Sequence, residues 1–298
     1  MPSTDPVPLT EPREPVELTP RLLREWALPA VGSSKYARGR VLVVGGAVGT
    51  PGAVQLAGVA ALRVGAGQLQ LAVAEPAAVA LAVATPEAAV VGLTADPSGS
   101  VLPESVGALT DAFATVDAVV LGPGLDNPDR TRGVVAAVLP GLGRRTSLVL
   151  DAFALGALPD LPALDAALGP RTVLTPNDAE AELLLGRALG VDRIADVAAI
   201  ASRYGAVVAC HDLVAAPSGE CWRIGVGHSG LATSGSGDVL AGTLGGLLAR
   251  GAEPAQAACW AKYLHAAAGE RLASRIGRIG FLAREVPDEL PSLLNELS

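Results

Sequence analysis

Three cysteines in 298 residues, Cys210, Cys221 and Cys259, are odd in number and show no C-x-x-C spacing. They supply neither a disulfide framework nor a zinc site, and they suit a reducing cytoplasm. Aromatic residues are scarce at 3%, while alanine and the 35 glycines abound, so helices have to pack through small side chains. Basic charge is also short. The net charge of −8 excludes the basic stripe of a nucleic-acid surface and favours small-molecule ligands. The most apolar stretch, Leu69 to Leu93, is broken by Glu75, Pro76, Pro86 and Glu87, which suits strand, helix, strand and gives no membrane span. Residues 1–18 are rich in proline and acid without the basic start and apolar centre of a signal peptide. They read as a polar tail, and residues 19–298 read as one domain without an internal linker or repeat.

What is present is a series of short apolar strands. Arg40-Val-Leu-Val-Val-Gly45 is nearly continuous and ends on glycine, the pattern of a strand buried on both faces in a parallel sheet. Similar runs follow at 68–74, 117–121, 147–151 and 172–175. Ala/Leu segments of helical length lie between them at 51–64, 104–114 and 130–139, which is the alternation of βαβ units. Thr19-Pro20 has the chemistry of a helix start, predicting a helix over 21–27. Short β-like pieces at 207–210, 213–216 and 221–224, with a Pro-Ser-Gly-Glu turn at 217–220, predict a hairpin at the sheet edge. Helices are expected at 237–250, 254–274 and 287–297. The fold class is α/β, a mostly parallel central sheet with helices on both faces.

The richest segment is Gly230-Leu-Ala-Thr-Ser-Gly-Ser-Gly-Asp238-Val-Leu-Ala-Gly242. A glycine and hydroxyl loop opening into an apolar helix gathers unpaired N–H groups and the positive helix end at one point, suited to a phosphate. Asp238 would repel that phosphate unless it had a separate task, and taking a proton from a substrate hydroxyl is one. The competing reading is an ordinary capped helix start.

Ligands of open α/β sheets bind beyond the carboxyl ends of the strands. There the sequence places Gly45-Gly46 through Gly52-Ala53, Gly122-Pro-Gly124-Leu125, Asp151-Ala-Phe153 and Pro176-Asn177-Asp178-Ala-Glu180. The Gly45 loop lacks the G-x-G-x-x-G spacing of a dinucleotide fold. Asn177 and Glu180 are three apart at a helix start, either holding Mg²⁺ or forming a cap. Asp151 is either a ligand contact or a sheet-end turn residue. Of the three histidines, His265 reads as a packing residue within a helix, and His228 sits in the loop before the glycine segment.

Taken together, Lys35-Tyr36 through Gly46, Gly52-Ala53 through Ala61-Leu62-Arg63-Val64-Gly65-Ala66-Gly67, Gly122–Leu125, Leu174-Thr175-Pro176 and Gly235-Ser236-Gly237-Asp238 resemble the ribokinase-like superfamily and, within it, the NAD(P)H-hydrate dehydratase family. The resemblance implies a three-layer α/β/α sandwich. It also implies an enzyme that returns hydrated NADH and NADPH to the reduced form with ADP or ATP and Mg²⁺: the ring hydroxyl is phosphorylated, and phosphate is then eliminated. By position it implies that Asp238 is the base and that Ala53, Gly124, Asn177 and Asp238 face the hydrate. Gly235, Ser236 and Gly237, with Cys210, His211, Asp212, Leu213 and Val214, would face the nucleotide, Glu180 would serve the metal, and the chain would assemble as a homo-tetramer.

The chain departs from the family pattern at Phe153, where an aspartate is usual, and at Asn177, where a histidine is usual. It departs again at Cys210-His211-Asp212, where the family has Lys-Gly, and at Gly227-His228-Ser229-Gly230. A loop without its phosphate lysine and the kinase-like Asn177-x-x-Glu180 leave two rivals: an ATP-dependent kinase of a small hydroxyl compound, and a nucleotide-binding homologue without catalysis.

Overall fold

Because the run at 40–44 has no polar alternate, both of its faces need cover, and it lies in the interior of a sheet as β2 (Arg40–Val44). Val41 and Val43 face one apolar cluster, and Leu42 and Val44 face the other. Each such fully buried side chain contributes about 1.5–3 kcal/mol. The structure is a computed structural model describing residues 13–161 and 168–298; most of the predicted tail, residues 1–12, falls outside them.

The chain runs β1 (Val16–Leu18), α1 (Pro20–Glu25), β2, α2 (Pro51–Arg63), β3 (Gln68–Ala74), α3 (Glu75–Ala84), β4 (Ala88–Leu93), α4 (Thr110–Phe113) and β5 (Ala118–Leu121). It continues with α5 (Pro128–Val138), β6 (Ser147–Leu150), α6 (Phe153–Gly156), β7 (Thr172–Leu174), α7 (Asp178–Leu185), α8 (Arg193–Tyr204), β8 (Val207–Cys210), β9 (Leu213–Ala215) and β10 (Cys221–Ile224). Helices α9 (Ser236–Ala249), α10 (Pro254–Arg275) and α11 (Val286–Leu297) complete it. The sheet order is β1-β10-β9-β8-β7-β6-β5-β2-β3-β4. Pairings are parallel except where β9 runs against β8 and β10. Helices α2, α3, α9, α10 and α11 cover one face, and α5 to α8 cover the other, so the layers are α/β/α.

Three local readings change. Val16–Leu18, placed by sequence in the polar tail, is a strand paired in parallel with β10, Val16 opposite Trp222. The predicted hairpin therefore does not end the sheet. Trp26, just past α1, stacks on Trp222 with ring centroids 5.7 Å apart, and Trp260 Nε1 donates to the Trp26 carbonyl. The helix expected at 104–114 is a 3₁₀ turn, Pro103–Leu109, followed by the single turn of α4. There Ser105 and Thr110 hydroxyls bond the carbonyls of Leu102 and Gly107, competing with a regular helical ladder. Helix α8, which the sequence reading passed over, is capped by Asp192 and closed by Gly205 at φ 59°.

The abundance of glycine has its clearest use between α2 and α9. A Cβ at Gly242 would lie 1.9 Å from the Ala57 carbonyl oxygen, and one at Gly246 would lie 2.6 Å from that of Ala61. The two helices touch backbone to backbone and run in the same direction. Their N-termini consequently arrive together beyond the carboxyl ends of the strands.

Candidate active site

Helix α9 opens at Gly235, whose φ of 88° is a conformation glycine adopts without strain. A side chain there would meet Leu56 Cδ1 at 2.6 Å, one turn along α2, so the loop is seated on that helix. Ser236 N–H donates to the Thr233 carbonyl. No side chain caps the helix, and the amides of Gly237 and Asp238 donate to no group among the described residues. Gly237 is exposed, with open space where a Cβ would stand. Two free amides at a helix N-terminus form an anion site. The cap reading of this segment is therefore the weaker one.

Two of the residues expected to face the hydrate, Ala53 and Gly124, converge from two loops. A Cβ on Gly124, at φ 70°, would lie 3.0 Å from Ala53 Cβ. The loops are laced by Gly46 N–H to Pro123 O and Ala47 N–H to Gly124 O, each 2.8 Å, and by Thr50 Oγ1 to Gly124 O at 2.6 Å. Leu56 carries this wall to Gly235. Ala53, Gly124 and the Gly235–Asp238 turn thus share one rim.

Acids approach the same rim. Burial pushes the Asp238 carboxyl up to about 6. Asp151 ends β6 and is buried; burial first, then the charges on Asp238 and Glu180, push it up to about 7 against the bond it accepts from Thr175. Ala152 follows at φ 52°, a strained value for a side chain that costs about 1–3 kcal/mol and collects at functional sites. Phe153, 43% exposed, comes next.

Asn177 and Glu180 close a capping box on α7. Glu180 N–H donates to Asn177 Oδ1 at 3.0 Å, and Asn177 N–H donates to Glu180 Oε2 at 2.9 Å. Among the described residues no group of three His, Cys, Asp or Glu could hold a metal ion. The cap engages only Oε2 of Glu180, and Mg²⁺ held mainly by nucleotide phosphates needs no more than one or two carboxylates. Asn177 is exposed and lines a cavity of about 590 Å³.

That cavity lies at the ends of β7, β8 and β10, with His211, Asp212, His228, Lys262 and His265 on its walls and apolar surface from Ile224 and Leu240. The predicted nucleotide loop divides around it. His211, at φ 50°, turns its Nε2 to Asp178 at 2.7 Å, and Asp212 lies 3.4 Å from Arg223. Cys210, its thiol pushed up to about 11 by burial, packs on the opposite sheet face. Leu213 and Val214 are buried within β9, which is paired on both sides, with β8 and β10.

His265 does more than pack. Its Nε2 lies 3.0 Å from both Ser236 Oγ and the Ser236 carbonyl, which ties α10 to the first residue of α9. Burial, then the charge of Lys262, push it down to about 4, so it is neutral near pH 7. His228 Nδ1 accepts from Gly230 N–H, leaving Nε2 to carry the ring proton in the neutral form. The sequence signal for the α10 wall was present as Lys262-x-x-His265, a spacing that puts both on one helix face.

Known proteins resemble this chain over most of its length. A family model described as NAD(P)H-hydrate dehydratase matches residues 41–292. The chain is 44% identical to the ADP-dependent (S)-NAD(P)H-hydrate dehydratase of Xanthomonas campestris pv. campestris, over 94% of this chain and 96% of that protein. It also matches bifunctional NAD(P)H-hydrate repair enzymes, of whose length it spans about half. The ADP/ATP-dependent NAD(P)H-hydrate dehydratase of Bacillus subtilis, co-crystallised with ATP/Mg²⁺ and soaked with CoA, superposes with a TM-score of 0.78 at 25% identity, covering 96% of this chain and 100% of that one. A ribokinase-like superfamily protein of Enterococcus faecalis gives 0.79 at 23%, covering 95% and 96%. On a ribokinase-like fold and with a match spanning most of its length, this chain belongs to the NAD(P)H-hydrate dehydratase family.

Proposed function

We propose that this chain is a lyase of nicotinamide nucleotide repair, which removes water from hydrated NADH and NADPH with ADP or ATP as the phosphoryl donor. The observation that carries the reading is Asp238 beside the two unpaired amides of α9. The hydrate's ring hydroxyl sits against Ala53, Gly124 and Asn177, and Asp238 takes its proton as the hydroxyl oxygen attacks the terminal phosphorus. That phosphorus loses its bond to the nucleotide's bridging oxygen. The Gly237 and Asp238 amides meet the negative charge on the transferring group, the role of preorganised donors. Loss of phosphate from the ring carbon, pushed out by the ring nitrogen's electron pair, and loss of a proton from the neighbouring ring carbon to water then restore the carbon–carbon double bond of the reduced nicotinamide. An Asp238 carboxyl raised to about 6 is matched to proton removal near neutral pH. Mg²⁺ enters with the nucleotide phosphates in this reading, and Glu180 would serve it through the carboxylate oxygen that the cap does not use.

The same reading makes residues 19–298, with β1 added at the sheet edge, one folding unit, and the assembly a homo-tetramer. It places the chain in the cytoplasm, which suits its three unpaired, buried cysteines. No helix among the described residues is long and apolar enough to cross a membrane. Purified protein with Mg²⁺, hydrated NADH and either ADP or ATP should restore the absorbance of reduced nicotinamide. Protein that binds both nucleotides and restores nothing with either would end the dehydratase reading. Light scattering gives the assembly, and a single cooperative melt supports the single unit.

A further inference from the structure

Only two of the chain's basic residues are lysines, Lys35 and Lys262. Lys35 lies on the surface, 5.3 Å from the Tyr36 ring centroid. Lys262 is partly buried on α10 and lines the cavity at the ends of β7, β8 and β10. Among the described residues its ammonium makes no hydrogen bond and no ion pair. Asp212, whose charge it feels, is turned toward Arg223. A partly buried amine without a partner bears part of its desolvation cost uncompensated, and such a group suits a site that an anionic ligand completes. One turn along α10, His265 lines the same cavity and bonds Ser236 at the start of α9, so the cavity that Lys262 lines borders the helix whose first amides are unpaired. The loop Cys210–Asp212 brings no lysine of its own.

We infer that Lys262 is the cationic anchor for the phosphate chain of the nucleotide, reached from the second helix after the glycine loop and not from the loop at the end of β8. This rests on the reading of the cavity as the nucleotide site. Lys262 is then a specificity residue: it favours a nucleoside di- or triphosphate over the nucleoside alone. Burial lowers the affinity of its amine for a proton, and a bound phosphate would reverse that.

The test is titration calorimetry of wild type, K262M and K262R with ADP, ATP and adenosine. In K262M the dissociation constants for ADP and ATP are expected to rise at least tenfold while that for adenosine moves less than twofold, and K262R recovers most of the loss. Equal ADP affinity in K262M and wild type overturns the inference, as does an equal loss for adenosine, which would make Lys262 a base contact. Wild type that binds no ADP or ATP removes the nucleotide reading itself. Should K262M not fold, the two-lysine composition supplies a second measurement on wild type. ADP should slow acetylation of Lys262 at least fivefold by peptide mass spectrometry and adenosine should not, with Lys35 as the internal reference; equal rates with and without ADP overturn the inference.

Discussion

Thr175 Oγ1 donates a 2.6 Å hydrogen bond to Asp151 Oδ1, joining the end of β7 to the end of β6 around a buried carboxyl. The folded protein holds the Asp151 proton up to about pH 7, whereas the unfolded chain releases it near 3.8. Between those values the folded state binds more protons, so stability falls as pH rises. Asp151→Asn stays neutral and can still accept from Thr175. Its melting temperature should exceed that of wild type by at least about 2 °C at pH 8, the shift that 1 kcal/mol makes in a chain of this size, and by less at pH 5. The same pH slope in both proteins would count against it.

Asp238→Asn should lower kcat by about 10²- to 10⁴-fold, the usual worth of a general base, with the ADP dissociation constant changed only a few-fold. Wild-type kcat should rise with pH through about 6, as Asp238 loses its proton. His265 is already neutral there and should not shape that limb. Unchanged turnover in the variant would take the base assignment from Asp238.

Asn177 has two roles that can be separated. Asn177→Ala opens the capping box and should cost about 0.5–2 kcal/mol, while Asn177→Ser keeps a capping oxygen and should cost little. If the Asn177 amide also faces the hydrate, KM for it rises in both variants. Normal KM in the serine variant would leave Asn177 as a cap alone.

Two glycines of one helix should respond in opposite ways. Gly242→Ala forces a methyl against the Ala57 carbonyl and should destabilise by about 1–3 kcal/mol, seen as a lower urea midpoint. At Gly237 the methyl has open space, so Gly237→Ala should melt near wild type yet bind ADP more weakly, because the methyl projects over the anion site. Equal ADP binding in Gly237→Ala would move that site elsewhere.

Strand ends were legible because apolar runs stop on glycine or on Asp151 and Thr175, and the glycine loop announced itself through its free amides. What the sequence hid was convergence. Lys262 and His265 stand more than twenty residues beyond Asp238, and only the packing of α10 brings His265 back to the start of α9 and both residues to one cavity. Asn177 and Glu180 were legible as a pair, but that they form a cap required seeing where their oxygens point. Val16–Leu18 was missed because three residues behind a proline-rich, acidic stretch carry too little pattern to reveal a strand added at an edge.

The stack of Trp26 on Trp222, with Trp260 bonded beneath it, gathers all three tryptophans of the chain at the seam where β1 meets β10. Trp222 is two residues from Ile224, which lines the cavity at the ends of β7, β8 and β10. The protein thus carries a built-in optical reporter: its intrinsic fluorescence comes from one cluster, so peeling of the N-terminal strand and filling of the cavity become readable in the unlabelled chain.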